Sequence, residues 1–192
     1  MYKAHIPYRN TVLTMLACCG LLSLWGNGCR PINSPTDIAE EVLPNEVTIT
    51  LTSPQGNVTA VWRSTTDVKG TPTRIDTLVL AAGRTYTGTI KAVNTTKNPP
   101  IDLTAEYKKE ADKHQFFYTV SGEAQGRVTI TITDRDKNNL PVGLEFTVMT
   151  TSGGQARGAL NVVLGHYDSV RKTGTNRAPE SDMDITFPLV IR

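Results

Sequence analysis

Along much of this chain apolar and polar residues alternate one by one. Residues 46–53 place Val47, Ile49 and Leu51 on one face and Thr48, Thr50 and Thr52 on the other, the two-residue period of a strand buried on a single side. Residues 127–133 repeat the device, with Val128, Ile130 and Ile132 set against Thr129, Thr131 and Thr133. Similar runs at residues 57–63, 75–80, 85–93, 115–121, 144–150, 159–166 and 184–191 complete a set of about nine strands, separated by stretches rich in Gly, Pro, Asn and Ser. Short strands at this spacing predict an all-β, antiparallel, immunoglobulin-like sandwich. One interval breaks the pattern. Between Pro100 and Gln115, Asp102 can cap a short helix on which Leu103, Tyr107 and Ala111 recur every fourth residue, so a single helix is expected across one end of the sandwich. Val58, Ala60 and Trp62 alternate as a core stripe does, which places the tryptophan inside. The last strand, with Ile185, Phe187, Leu189 and Ile191 facing one way, runs to the terminus itself.

Composition agrees with that architecture. The chain has 192 residues, of which 28 Thr, 16 Val and 11 Ile are β-branched, a residue class that suits a pleated surface better than a helix. With 39% hydrophobic and 20% charged residues, and 20 Lys+Arg against 18 Asp+Glu, neither a disordered polyampholyte nor a basic nucleic-acid binder fits. The threonine-rich faces read as solvated sheet surface. There is no Gly-rich phosphate loop at a strand–helix junction, no cysteine pair for zinc and no Gly-x-Ser-x-Gly elbow, so an enzyme is not expected.

The first segment reads as an address. Lys3 and Arg9 precede an uncharged, largely apolar run over residues 11–25 that ends in Gly26, Asn27 and Gly28, the layout of a secretory signal over residues 1–28. The run is too short for a bilayer span, which needs roughly 20 apolar residues. Of the three cysteines, Cys18 and Cys19 leave with such a signal, and Cys29 becomes the N-terminal residue. Gly before Cys resembles the lipobox of bacterial lipoproteins, so lipidation at Cys29 is expected, with an ordinary secreted product as the alternative. Residues 29–45, with Pro31, Pro35 and Pro44, then read as an extended tether, and residues 46–192 as the folded domain. Loss of Lys3 and Arg9 leaves 18 basic against 18 acidic residues, with no long-range field to steer nucleic acid.

Candidate chemistry is sparse. Beyond the signal there are two histidines, His114 and His166. The first opens a strand and the second closes one. If those strands run antiparallel, both imidazoles share one edge of the sandwich, and Glu110, Asp112 or Asp168 would complete a site for a divalent transition metal or a small ligand. The alternative is that each histidine caps a core edge through a neighbouring carboxylate. A second group, Asp134, Asp136, Asn138 and Glu145, occupies the first, third, fifth and twelfth places of a calcium-loop pattern, with Asn139 in place of the usual glycine. Pro141 and the flanking strands favour an Asp/Asn-rich hairpin for the same residues.

Several phrases together resemble a known family. They are Leu78-Val79-Leu80 followed by Tyr86-Thr87-Gly88-Thr89; Glu110-Ala111-Asp112-Lys113-His114-Gln115-Phe116-Phe117-Tyr118; Leu140-Pro141-Val142-Gly143; and Asp182-Met183-Asp184-Ile185-Thr186-Phe187-Pro188-Leu189-Val190-Ile191. Residues 46–192 are similar to small envelope lipoproteins of the Bacteroidota, some labelled type 1 periplasmic binding fold superfamily. The resemblance implies an outer-membrane lipoprotein; no acidic run follows Cys29 directly, which favours the periplasmic face by analogy with surface-export signals in such bacteria. It also implies an accessory role beside TonB-dependent receptors in capturing a scarce metal or small nutrient. The family shows His-Gln-Pro-Gly where this chain has His166-Tyr167-Asp168-Ser169. The label implies a two-lobed α/β protein near twice this length, which the strand pattern contradicts. The competing expectation is a structural or adhesive envelope module whose edge strands pair with a partner protein.

Overall fold

A computed structural model describes residues 42–192. The expected signal, Cys29 and most of the expected tether lie outside the described residues. The described chain is all-β with one short helix, and its strands form two sheets. The larger sheet is built from β1 (Glu46–Ser53), β2 (Gly56–Ser64), β3 (Pro72–Ile75), β5 (Thr85–Asn94), β8 (Val128–Ile132) and β9 (Glu145–Thr150) in the order β3-β2-β1-β5-β9-β8. The two-residue β6 (Ile101–Asp102) is joined to β5. The smaller sheet runs β4-β11-β10-β7, from β4 (Leu78–Leu80), β7 (His114–Gly122), β10 (Ala156–His166) and β11 (Glu180–Ile191).

Each inward stripe is the apolar set of its strand. Val47, Ile49 and Leu51 from β1 are buried together with Phe146 and Val148 from β9, and with Phe116, Leu160, Val162, Leu164, Ile185, Phe187 and Leu189 from the smaller sheet. Trp62 is buried among them. Phe146 is opposite Gly88 in the β5–β9 register, and its ring lies where a Cβ on residue 88 would stand, at 2.3 Å. Only glycine leaves that space.

Two details differ from the sequence expectation. Residues 75–80, which read as one strand, are two strands in different sheets. Asp76 makes the corner: its backbone N–H donates to Val61 O and its Oδ2 accepts from Val61 N. This fastens the chain to β2 before it crosses at Thr77 to β4. There β4 pairs parallel to β11, the single departure from an antiparallel arrangement among the named strand pairs. With β3, β4 and β6 counted, the described strands number eleven against the nine expected. The domain also begins earlier than residue 46. Val42 and Leu43 pack against the core, and buried Asn45 donates through Nδ2 to Ser64 O and accepts at Oδ1 from Thr95 N.

The helix forms where expected. Asp102 Oδ1 accepts from Thr104 N at 3.0 Å and caps α1 (Leu103–Lys109), whose Leu103 and Tyr107 are buried. This turn of helix closes the end of the sandwich where β7 starts.

β11 lies between β4 and β10, so its last residues are interior to a sheet. Removing residues 185–192 strips Ile185, Phe187, Leu189 and Ile191 from the core, at about 1.5–3 kcal/mol per side chain. The total of roughly 6–12 kcal/mol rivals the whole stability of a domain this size. Loss of cooperative melting is expected by calorimetry; a sharp, native-like transition in the truncated protein would contradict this placement of β11.

Candidate functional site

The antiparallel register of β7 and β10 puts the first residue of one opposite the last residue of the other, so His114 and His166 are a cross-strand pair. Their rings stack with centroids 4.5 Å apart at an interplanar angle of 28°. The juxtaposition anticipated from chain direction is therefore present. Tyr107, projecting from α1, covers His114 with its ring centroid at 5.2 Å.

The carboxylate between the imidazoles is Asp182, which the sequence pattern does not single out. Counting back by two from Ile185 puts Met183 inside and leaves Asp182 outside with Asp184. The register of β10 and β11 jumps, however, from Leu164↔Met183 to Gly165↔Ser181. Asp182 is thus the extra residue of a β-bulge, the device that re-aims a side chain within a ladder. It is turned inward, and Asp182 and Met183 are buried in succession. Asp182 Oδ1 lies 3.2 Å from His166 Nδ1, and Oδ2 lies 3.3 Å from His114 Nε2. Side-chain exposures are 5% for His114, 6% for Asp182 and 19% for His166, so the cluster opens to solvent on the His166 side.

The outer nitrogens are also engaged. His114 Nδ1 is 3.1 Å from Glu110 O; a carbonyl only accepts, so this nitrogen carries a proton. His166 Nε2 is 3.2 Å from Asp168 Oδ2. Glu110 accordingly contributes its backbone carbonyl to the cluster, and Asp168 sits on the far nitrogen of His166, where it also meets Lys113 Nζ at 3.5 Å. Asp112 is elsewhere, paired with Lys137 at 2.7 Å, a hydrogen bond that holds its carboxyl below the ordinary range. Burial opposes a charge on His114, but the hydrogen bond and charge of Asp182, with the Glu110 carbonyl, outweigh it and raise its pKa above 6.5.

A second buried charge fixes this end of the molecule. Lys172, from the loop between β10 and β11, donates to Ala111 O at 2.8 Å, to His114 O at 2.9 Å and to Asp136 Oδ2 at 3.0 Å. Its three protons have three acceptors, which makes burial of an ammonium tolerable. It joins the turn after α1, the start of β7 and the 134–143 loop. Gln115 Nε2 adds a further tie, donating to Gly174 O of the Lys172 loop. Nothing in the run around Lys172 marks it in the sequence as an interior residue.

The calcium-loop candidates do not converge. Asp134 accepts from Gly143 N and Leu144 N, and Asp136 Oδ1 from Asn138 N and Leu140 N. Asp136 Oδ2 already faces Lys172. Asn138 and Glu145 are exposed, and Asn139 takes the left-handed conformation, φ 61°, that the turn requires. Among the described residues, the three-ligand group whose donor atoms all lie within 4.8 Å of one another is His114, His166 and Asp182. A separate groove of about 440 Å³, whose lining includes none of the three, runs between α1 and this loop, with apolar Ile90, Val142 and Leu144 and charges of both signs among its walls.

No protein-family model, curated protein or solved structure matches this chain. No helix among the described residues is long and apolar enough to cross a membrane.

Lys172 and Asp136 are exposed by 2% and 0% at their side chains. Asp136→Asn keeps an oxygen for the loop N–H groups and removes the charge opposite Lys172, a change that costs about 3–5 kcal/mol in buried pairs. Burial pushes the Asp136 carboxyl up, but the Leu140 and Asn138 amides and the Lys172 ammonium bring it below 3.8. A lowered carboxyl contributes stability that is present above pH 3.8 and lost as the pH falls through its folded value. In urea denaturation the gap between wild type and variant should be flat from about pH 7 to 4 and close at lower pH. A gap unchanged at about pH 2 would refute the assignment.

Proposed function

We propose that the protein is a lipid-tethered, non-enzymatic binding module of the bacterial envelope. In this reading it is accessory to outer-membrane, TonB-dependent uptake and captures a metal or small nutrient. The observation that carries the reading is the convergence of His114, His166 and Asp182 at one end of the sandwich, partly open at His166. Core histidines are tolerated singly by a capping hydrogen bond. Two stacked imidazoles facing one shared carboxylate are instead a donor set that a divalent transition metal or a small polar ligand takes.

Binding is favoured over catalysis by the way the rings are engaged. Each of the four ring nitrogens is held by a backbone carbonyl or a carboxylate, an arrangement that orients the rings as a fixed ligand pair. The balanced charge of the chain beyond residue 28 gives no field for nucleic acid. Lipidation at Cys29 would place the domain on a membrane surface, since each buried acyl CH₂ contributes roughly 0.8 kcal/mol.

A structural or adhesive role is the second reading, and one observation favours it. All four residues of the edge strand β3 are exposed, which leaves a short open edge for a partner strand.

The test is made on full-length protein in its native envelope. It is expected to fractionate with the outer membrane and, after mild cross-linking and detergent extraction, to bring down a TonB-dependent receptor. Cys29→Ser should release it to the soluble fraction. Recovery with a repeating surface polymer and no receptor, disrupted by Ile75→Pro at the β3 edge, would replace the capture role with the structural one.

A further inference from the structure

The geometry points to a mononuclear site for a divalent late transition metal, with His114 Nε2, His166 Nδ1 and the Asp182 carboxylate as its protein ligands. This names the cargo of the capture reading above and rests on it. The nitrogen–oxygen separations of 3.3 and 3.2 Å match those between neighbouring donors around an ion bonded at roughly 2.0–2.1 Å. His114 Nδ1 must bear a proton because its partner is the Glu110 carbonyl, which leaves Nε2 to face Asp182. The mirror arrangement holds at His166, where Asp168 takes Nε2 and Nδ1 faces the same carboxylate.

Both inward nitrogens converge on the two oxygens of Asp182, which gathers donor atoms of metal-ligand type from three residues around one point. An ion bound there displaces whatever proton the inward nitrogens carry, and that proton leaves to solvent. The outer N–H groups keep their bonds to Glu110 O and Asp168. A backbone carbonyl on one ligand histidine and a carboxylate on the other are the usual outer partners of metal-bound imidazoles. The donor set selects the metal. Two imidazoles and a carboxylate suit Zn²⁺ and Cu²⁺, whereas Ca²⁺ and Mg²⁺ take all-oxygen ligation. Three protein ligands leave a coordination position open, and His166 is the most exposed of the three. Such a site holds an ion and can also release it to a receptor.

Untagged full-length protein in detergent, titrated with zinc chloride in a calorimeter, should bind one Zn²⁺ per chain. Magnesium and calcium should not compete, and Cu²⁺ should displace the zinc. His166→Gln should abolish uptake. Asp168→Asn, which touches only a positioning residue, should weaken affinity roughly 10–100-fold with the stoichiometry kept. The electron paramagnetic resonance spectrum of the Cu²⁺ form should show two coupled nitrogens in wild type. Because His114 is deeply buried, its role is read on wild type from zinc-induced shifts of its ring proton resonances. Absence of zinc uptake by wild type, or unchanged affinity in His166→Gln with histidine resonances that do not move, overturns the site. Receptor association that survives such a failure leaves the capture role with a different ligand; zinc uptake without a receptor supports the site and removes the accessory role.

Discussion

Ionisable groups drawn wholly or partly out of water must answer one another, and at one end of this sandwich five of them do. Lys172 and Asp136 form one pair, and Asp182 stands between His114 and His166 as the shared partner of both. The two groups meet at His114, whose backbone carbonyl accepts from Lys172 while its ring faces Asp182. Losing a partner inside such an arrangement leaves an uncompensated buried charge, which costs far more than the pair contributes relative to apolar packing. Conformational order at this end therefore comes from electrostatic satisfaction, whereas in the body of the sandwich it comes from apolar burial.

That division of labour explains how three irregular segments are held against a regular frame. The turn after α1, the 134–143 loop and the loop between β10 and β11 have no common ladder. Lys172 supplies three hydrogen bonds that link them. Tyr167 closes the third segment by donating its hydroxyl to Asn176 O, and its backbone N–H to Lys113 O extends the β7–β10 pairing one step past His114. The ladder thus passes through the histidine pair, which lets backbone hydrogen bonds fix the relative height of the two rings. The bulge at Asp182 then has to place one side chain only.

The same rim shows why the 134–145 run should not be read as a cation loop by composition alone. Its acidic residues point their oxygens at the loop's own amides and at an ammonium. Asx-type bonding of this kind is a general reason that Asp and Asn gather in turns, and it competes with metal ligation for the same lone pairs. His114, His166 and Asp182 differ because their inward atoms face one another, nitrogen to carboxylate oxygen, at 3.2 and 3.3 Å.

Alternation of apolar residues with threonine was enough to determine the all-β class, most strand positions, the helix capped by Asp102 and the interior place of Trp62, because each depends on contacts within a few residues or on one face of a strand. It was also enough to suggest that the histidines share an edge, since antiparallel neighbours place a strand start beside a strand end. Asp182 and Lys172 were decided only in three dimensions. A bulge shifts the parity that sequence counting assumes, and an ammonium becomes interior only when carbonyls and a carboxylate from distant segments converge on it. The crossing of residues 75–80 from one sheet to the other has the same origin, for Asp76 is held by Val61, and no periodicity within the strand can reveal a partner fifteen residues away.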